Sequence, residues 1–167
     1  SACLVGSEMC IRDRYKTIYI GGGTPNFINN NSLSNLLSTL KSKLFDKDYE
    51  FTIQCNPEFI NQSQIDIFKQ NKVNRISIGV QTTNNEILKL LKRTHNIQTC
   101  INAITLLQKN KFNNISCDFI YNLPLLKISD LKETFNFIKK LKIKHVSFYS
   151  LELKEGSILT KQKYRLN

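Results

Sequence analysis

The chain has 167 residues, 41% of them hydrophobic, which is enough for one domain with a real core but short of the roughly 200 or more that a complete α/β barrel takes. No apolar run approaches the roughly 20 residues of a membrane span and no segment has the order of a secretory signal, so a soluble, cytoplasmic protein is expected. The net charge of +11 admits a nucleic acid or an anionic ligand; yet the lysines are dispersed as on a solvated surface, without interleaved aromatics, and the five cysteines, odd in number and widely spaced, form neither a disulfide framework nor a Cys-x-x-Cys pair.

Residues 1–14 lack the Asn and Lys bias of the remainder and read like translated sequencing adapter, so they are set aside as non-native, leaving 15–167 as the central part of one core domain. Residues 17–20 then predict a short strand. Ser32 predicts the cap of a helix whose Leu33, Leu36, Leu37, Leu40 and Leu44 share one face. A strand at 51–55 and a helix at 62–71, with Ile65 and Phe68 inward, come next, followed by a strand at 75–80. Asn84 opens a helix through Ile87, Leu88 and Leu91, and a second helix carries Ile97, Ile101, Ile104 and Leu107. A strand at 115–121, a helix opened by Ser129 with Leu131, Phe135, Ile138 and Leu141 inward, and a strand at 145–151 complete the series.

Strands alternating with helices of about ten residues predict βαβ units and a parallel sheet. One strand face is apolar: Ile18 and Ile20, then Phe51, Ile53 and Cys55, then Ile76, Ile78 and Val80, then Ile115, Cys117 and Phe119, then Val146 and Phe148. The other carries Thr52, Gln54, Asn56, Ser77, Gly79, Gln81, Ser116, Asp118, Ser147 and Tyr149. A doubly wound sheet would be apolar on both faces. The pattern instead predicts an α/β fold of about five parallel strands, curled into a partial (β/α) barrel with a polar lumen.

Unusual residues gather at the strand ends. Gly21-Gly22-Gly23-Thr24-Pro25 either lets a ligand approach backbone N–H groups or makes a plain tight turn. Gln54-Cys55-Asn56-Pro57 presents two amides where Pro57 stops the ladder, and Gly79-Val80-Gln81 repeats the device. Asp118 lies mid-strand, where a carboxylate needs partners; a site acid and a structural ion pair both satisfy that need. Arg93 in Arg93-Thr94-His95-Asn96 is an ordinary charge for a helix end. His95 and Asn96 read as helix-terminal polar residues without a catalytic role.

Together, Tyr19-Ile20-Gly21-Gly22-Gly23-Thr24-Pro25, Gln54-Cys55-Asn56-Pro57-Glu58, the segment from Asn74 to Gln81, Arg93-Thr94-His95-Asn96, Asp118-Phe119-Ile120-Tyr121-Asn122-Leu123-Pro124 and the segment from His145 to Leu151 resemble the radical S-adenosylmethionine family of oxygen-independent coproporphyrinogen III oxidase-like proteins, and within it the heme chaperone branch. The resemblance implies a partial (β/α) barrel of the radical S-adenosylmethionine type, holding S-adenosylmethionine against a [4Fe–4S] cluster, with heme or a porphyrin and an acceptor hemoprotein as partners. Residue by residue, it places Gly22, Gly23 and Thr24 at the methionine part of the cofactor and Gln54, Gln81, Arg93 and Asp118 at further cofactor contacts. The family has Glu at Gln54 and favours Gly at Asn122. Its Cys-x-x-x-Cys-x-x-Cys iron-binding loop and the chaperone branch's His-Asn-x-x-Tyr-Trp motif are absent from this sequence, so an internal fragment, inactive by itself, is expected. Oxidative decarboxylation of coproporphyrinogen III, a basic nucleic-acid-binding domain and a sugar-phosphate-binding barrel stand as the alternative readings.

Overall fold

The computed structural model describes residues 14–44 and 47–152. The segment 1–13 and residues 153–167, part of the termini discussed above, lie outside them. Five strands, β1 (Thr17–Ile20), β2 (Glu50–Cys55), β3 (Arg75–Gln81), β4 (Ile115–Tyr121) and β5 (His145–Ser150), form one sheet in chain order. Every neighbouring pair is parallel. The crossovers carry α1 (Asn30–Lys41), α2 (Gln62–Gln70), the successive helices α3 (Asn85–Leu90) and α4 (Ile97–Lys109), and α5 (Ile128–Lys140). Because the strand order never reverses, right-handed crossovers put all the helices on one side. The result is a curled half-barrel.

Asparagine starts four of the five helices. The side chains of Asn29, Asn61, Asn84 and Asn96 each accept an N–H from the first turn that follows. Asn29 therefore caps α1 in place of Ser32. Lys127 precedes α5 in place of Ser129, and its own N–H donates to the Asp130 carboxylate at 2.7 Å. At the far ends, Lys72, Lys92, Lys111 and Lys142 adopt positive φ. The next N–H closes back onto the helix each time, as from Val73 to the Phe68 carbonyl and from Phe112 to the Leu107 carbonyl. This is the Schellman arrangement with lysine where glycine is usual.

On the sheet's outer face, Ile20, Ile53, Ile76 and Ile115 stand in register, as do Cys55, Ile78, Cys117 and Val146. Leu33, Leu37, Ile65, Phe68, Ile104 and Leu107 cover them from the helices, all fully buried. Burial of each such side chain contributes about 1.5–3 kcal/mol. Leu36 and Phe135, read as inward from their spacing, are instead 40% and 52% exposed. Only Leu33 and Leu37 of α1 are buried, which leaves Leu36 at the margin of that stripe, and Phe135 turns toward Phe148 on the edge strand, ring centroids 6.1 Å apart. Among the described residues no helix is long and apolar enough to cross a membrane.

Candidate functional site

The carboxyl ends of β1, β2 and β3 open onto one cleft of about 80 Å³, walled by Gly23, Thr24, Pro25, Gln54, Cys55, Asn56, Gly79, Gln81 and Arg93. Each wall residue has a local reason to be there. Gly22 and Gly23 take φ of +77° and +52°, and a Cβ on either would meet nothing within 4 Å, so the loop needs glycine for its backbone path and leaves open space beside it. Gly21 is different: a Cβ there would stand 2.5 Å from the Tyr19 ring. The Gly22 N–H donates to the Gln54 Oε1 at 3.3 Å, which joins the glycine loop to β2.

Beneath that loop lies a buried amide network. Asn26, 1% exposed, accepts the Asn56 N–H at 2.8 Å and donates to the Asn56 carbonyl at 3.1 Å. Gln64 of α2 donates to the Asn26 carbonyl at 2.7 Å and accepts from the Asn26 side chain at 3.3 Å. The turns after β1 and β2 are thus one rigid unit. No periodicity or motif singles out Asn26 in a chain so rich in asparagine.

Arg93 reaches the cleft because α3 ends early. Lys92 takes φ +53° and the Arg93 N–H closes onto the Leu88 carbonyl at 2.9 Å, so the chain leaves the helix sharply at Arg93. Arg93 through Asn96 form the link between α3 and α4 and do not end a helix, which corrects the reading from spacing. The Thr94 hydroxyl donates to the Glu58 carboxylate, and Asn96 caps α4. No ion pair holds the exposed Arg93 guanidinium among the described residues. His95, read from sequence as a helix-terminal residue, is buried.

Of the residues singled out, the structure brings Gly23, Thr24, Gln54, Gln81 and Arg93 onto one wall and attaches Gly22 through Gln54. Asp118 is not on that wall. It stands on the inner face opposite Gly79, 5% exposed, and accepts the Ser77 hydroxyl at 2.8 Å. No salt bridge to Asp118 occurs among the described residues, so its partner is a hydroxyl rather than the structural ion pair considered above. Ser116, in the same row as Gln54 and Ser77, is fully buried, and its hydroxyl has no hydrogen-bond partner among the described residues. Tyr19 faces this row; partial burial raises its hydroxyl pKa, with Ser77 acting in the opposite sense and Asp118 adding to the rise. Asn122 takes φ +60°, so it makes the turn for which glycine is the usual residue.

Cys55, Cys100 and Cys117 are free and buried. Burial raises all three thiol pKa values, that of Cys100 to about 12. Among the described residues, no group of three His, Cys, Asp or Glu side chains could hold a metal ion.

The sequence model described as the Radical SAM superfamily matches residues 7–138. The chain is similar to the heme chaperone HemW of Lactococcus lactis subsp. lactis, 36% identical with 92% of this chain and 41% of the relative covered. It is similar also to the heme chaperone HemW of Buchnera aphidicola subsp. Acyrthosiphon pisum, 32% identical with 88% and 39% covered. The chain therefore spans about two-fifths of the length of the curated relatives it matches. Its fold matches the coproporphyrinogen III oxidase HemN of Escherichia coli at a TM-score of 0.79, with 24% identity over 91% of this chain and 35% of that one.

Proposed function

The chain belongs to the Radical SAM superfamily, and from that premise we propose that its cleft binds the methionine end of S-adenosylmethionine as part of a protein of the heme chaperone type. One observation carries the reading: an open glycine loop, the amides of Gln54 and Gln81, and Arg93, which has no ion pair among the described residues, converge at the ends of three adjacent parallel strands. Polar groups at that position are how α/β proteins build a site.

The donor set fits the cofactor. Arg93 offers a planar, always charged fork to the carboxylate. Gly22, Gly23 and Thr24 bring backbone groups close to the amino-acid zwitterion. Gln54 and Gln81 can accept from or donate to the ammonium's surroundings and the ribose hydroxyls, and Asp118 lies further along the inner face for the same hydroxyls. At Gln54 an amide replaces the family's carboxylate, so this position contributes a hydrogen bond without a balancing charge. When bound, S-adenosylmethionine supplies a sulfonium whose carbon–sulfur bond yields to one-electron reduction. The described residues do not fit a [4Fe–4S] cluster, because their three cysteines lie buried beneath the helices with protonated thiols. No step is assigned to that group. Heme, or a porphyrin, and an acceptor hemoprotein are proposed partners of the longer protein on the strength of the similarity to heme chaperones.

Calorimetric titration with S-adenosylmethionine tests the reading. Arg93→Ala removes a charge-assisted contact of about 1.5–3 kcal/mol, so affinity falls about ten- to hundredfold. Equal affinity in the variant, or retention on heparin that salt abolishes together with no S-adenosylmethionine binding, rejects it.

A further inference from the structure

Among the non-glycine residues of the cleft wall only Gln81 has a positive φ, +71°, and the Thr82 N–H reaches back to the Val80 carbonyl at 2.9 Å. A bond from residue i+2 to residue i around a left-handed centre is the rare, strained form of γ-turn. Such geometry persists only where the surroundings over-determine it. The ladder to β4 steps past Val80 and resumes with Gln81 opposite Phe119, so it pins only the far end of this bulged turn.

His95 is placed to do it. The ring is 4% exposed and neither of its nitrogens has a partner in hydrogen-bond geometry among the described residues. Native structures pair the great majority of such buried groups, which makes this imidazole an exception that calls for a cause. Burial lowers its pKa; the Val80 backbone pulls the other way, as does Glu58, while Arg93 adds to the lowering. Arg93 and Glu58 are the charged groups that act on it. The Val80 carbonyl has two acceptor positions and Thr82 occupies one. The segment carrying the ring is anchored on both sides, by Thr94 on Glu58 and by the Ile97 N–H on the Asn85 side chain at 2.9 Å. The Val80 backbone is close enough to the ring to act on its protonation, and site hydrogen bonds often tighten on ligand binding.

We infer that His95 is a positioning residue: its neutral imidazole donates one N–H to the Val80 carbonyl and thereby holds the strained turn that aims Gln81 into the cleft beside Arg93. Only the ligand-binding consequence of this role rests on the proposed reading of the cleft.

The chain has two histidines, so nitrogen-15 NMR of the imidazoles has two signals to resolve. His95 is expected to keep a single neutral tautomer as pH falls through the ordinary imidazole value of 6.5. Averaged tautomers, or protonation at or above that ordinary value, overturn the inference. Amide exchange at Thr82 is the second measurement. His95→Leu should speed it about tenfold, whereas His95→Gln, which keeps an N–H donor, should leave it within about twofold. A residue that merely filled space would show no such difference, so equal exchange in the leucine variant and the unsubstituted protein overturns the inference. Should the leucine variant fail to fold, the titration of the unsubstituted protein decides. If Thr82 responds as expected while the protein binds no S-adenosylmethionine, the role of His95 stands and the reading of the cleft falls.

Discussion

The outer and inner faces of the same five strands are held by different forces. On the outer face Phe51, Ile53, Ile76 and Ile78 are fully buried against helices, and non-directional burial tolerates a change of shape better than a loss of volume. On the inner face Thr52, Ser77, Ser116 and Asp118 are also buried, but the contacts around them are directional: Thr52 to Glu50 at 3.1 Å, Arg75 to Glu50 at 3.2 Å and Ser77 to Asp118 at 2.8 Å. There, a displaced atom matters more than a missing methylene. A strand whose two faces obey these two rules can carry a site on one side without weakening the core on the other.

The sharpest way to break the comparison is to attack the outer face alone. Phe51→Ala should cost about 3–5 kcal/mol in urea unfolding. S-adenosylmethionine affinity of the folded protein should stay the same, and a matching loss of affinity would mean that the faces are coupled. Asn26→Ala comes next, because it strands the Asn56 N–H and the Gln64 side chain beneath the glycine loop. The expected cost is about 1–3 kcal/mol for each buried partner left unpaired. Unlike the first variant it should also weaken ligand binding, since it unties the turns after β1 and β2.

The alternation of Ile53, Gln54 and Cys55, or of Ile76, Ser77 and Ile78, made the two faces legible in the sequence, because a period of two survives whatever packs against it. The half-barrel followed from that alternation together with the helix spacing. Helix starts were less legible. Ser32 and Ser129 were plausible caps, but Asn29 and Lys127 occupy the capping positions, and in a chain with so many asparagines the side chain that meets the first turn is decided by backbone path. Gln54 and Gln81 could be singled out because they lie at strand ends, and Arg93 only through the family resemblance. Asn26, Glu58 and His95 could not, since their partners are 30 or more residues away in the cases of Asn26 and Glu58, and the environment of His95 is made by the exit of β3.

A smaller effect tests the chemistry of the outer face. The folded state keeps Cys55, Cys100 and Cys117 protonated beyond the ordinary thiol value of 9.0, so above that pH the unfolded chain binds fewer protons than the native one. Stability contributed by these thiols is complete below pH 9.0 and is lost as pH rises through the folded values. Urea midpoints at increasing alkaline pH should therefore fall, and alkylation at neutral pH should spare all three cysteines in the native protein while labelling them in urea. Labelling of Cys55 in the native protein would mean that the helix layer opens.

Gly79→Ala makes the smallest change to stability and reports most directly on the inner face. A Cβ at this position would stand 2.7 Å from the Gln81 Nε2, the far end of a flexible side chain, so the amide can move aside without disturbing the strand. Restricting the unfolded chain offsets part of any strain by about 0.4–1 kcal/mol, and the unfolding midpoint should hardly shift. The cost appears in binding: with the Gln81 amide displaced, affinity for S-adenosylmethionine should fall up to about tenfold, the equivalent of one hydrogen bond. A midpoint that drops as far as in Phe51→Ala would erase the distinction between the faces. An unchanged affinity would remove Gln81 from the ligand's contacts and leave Arg93 and the glycine loop to hold it.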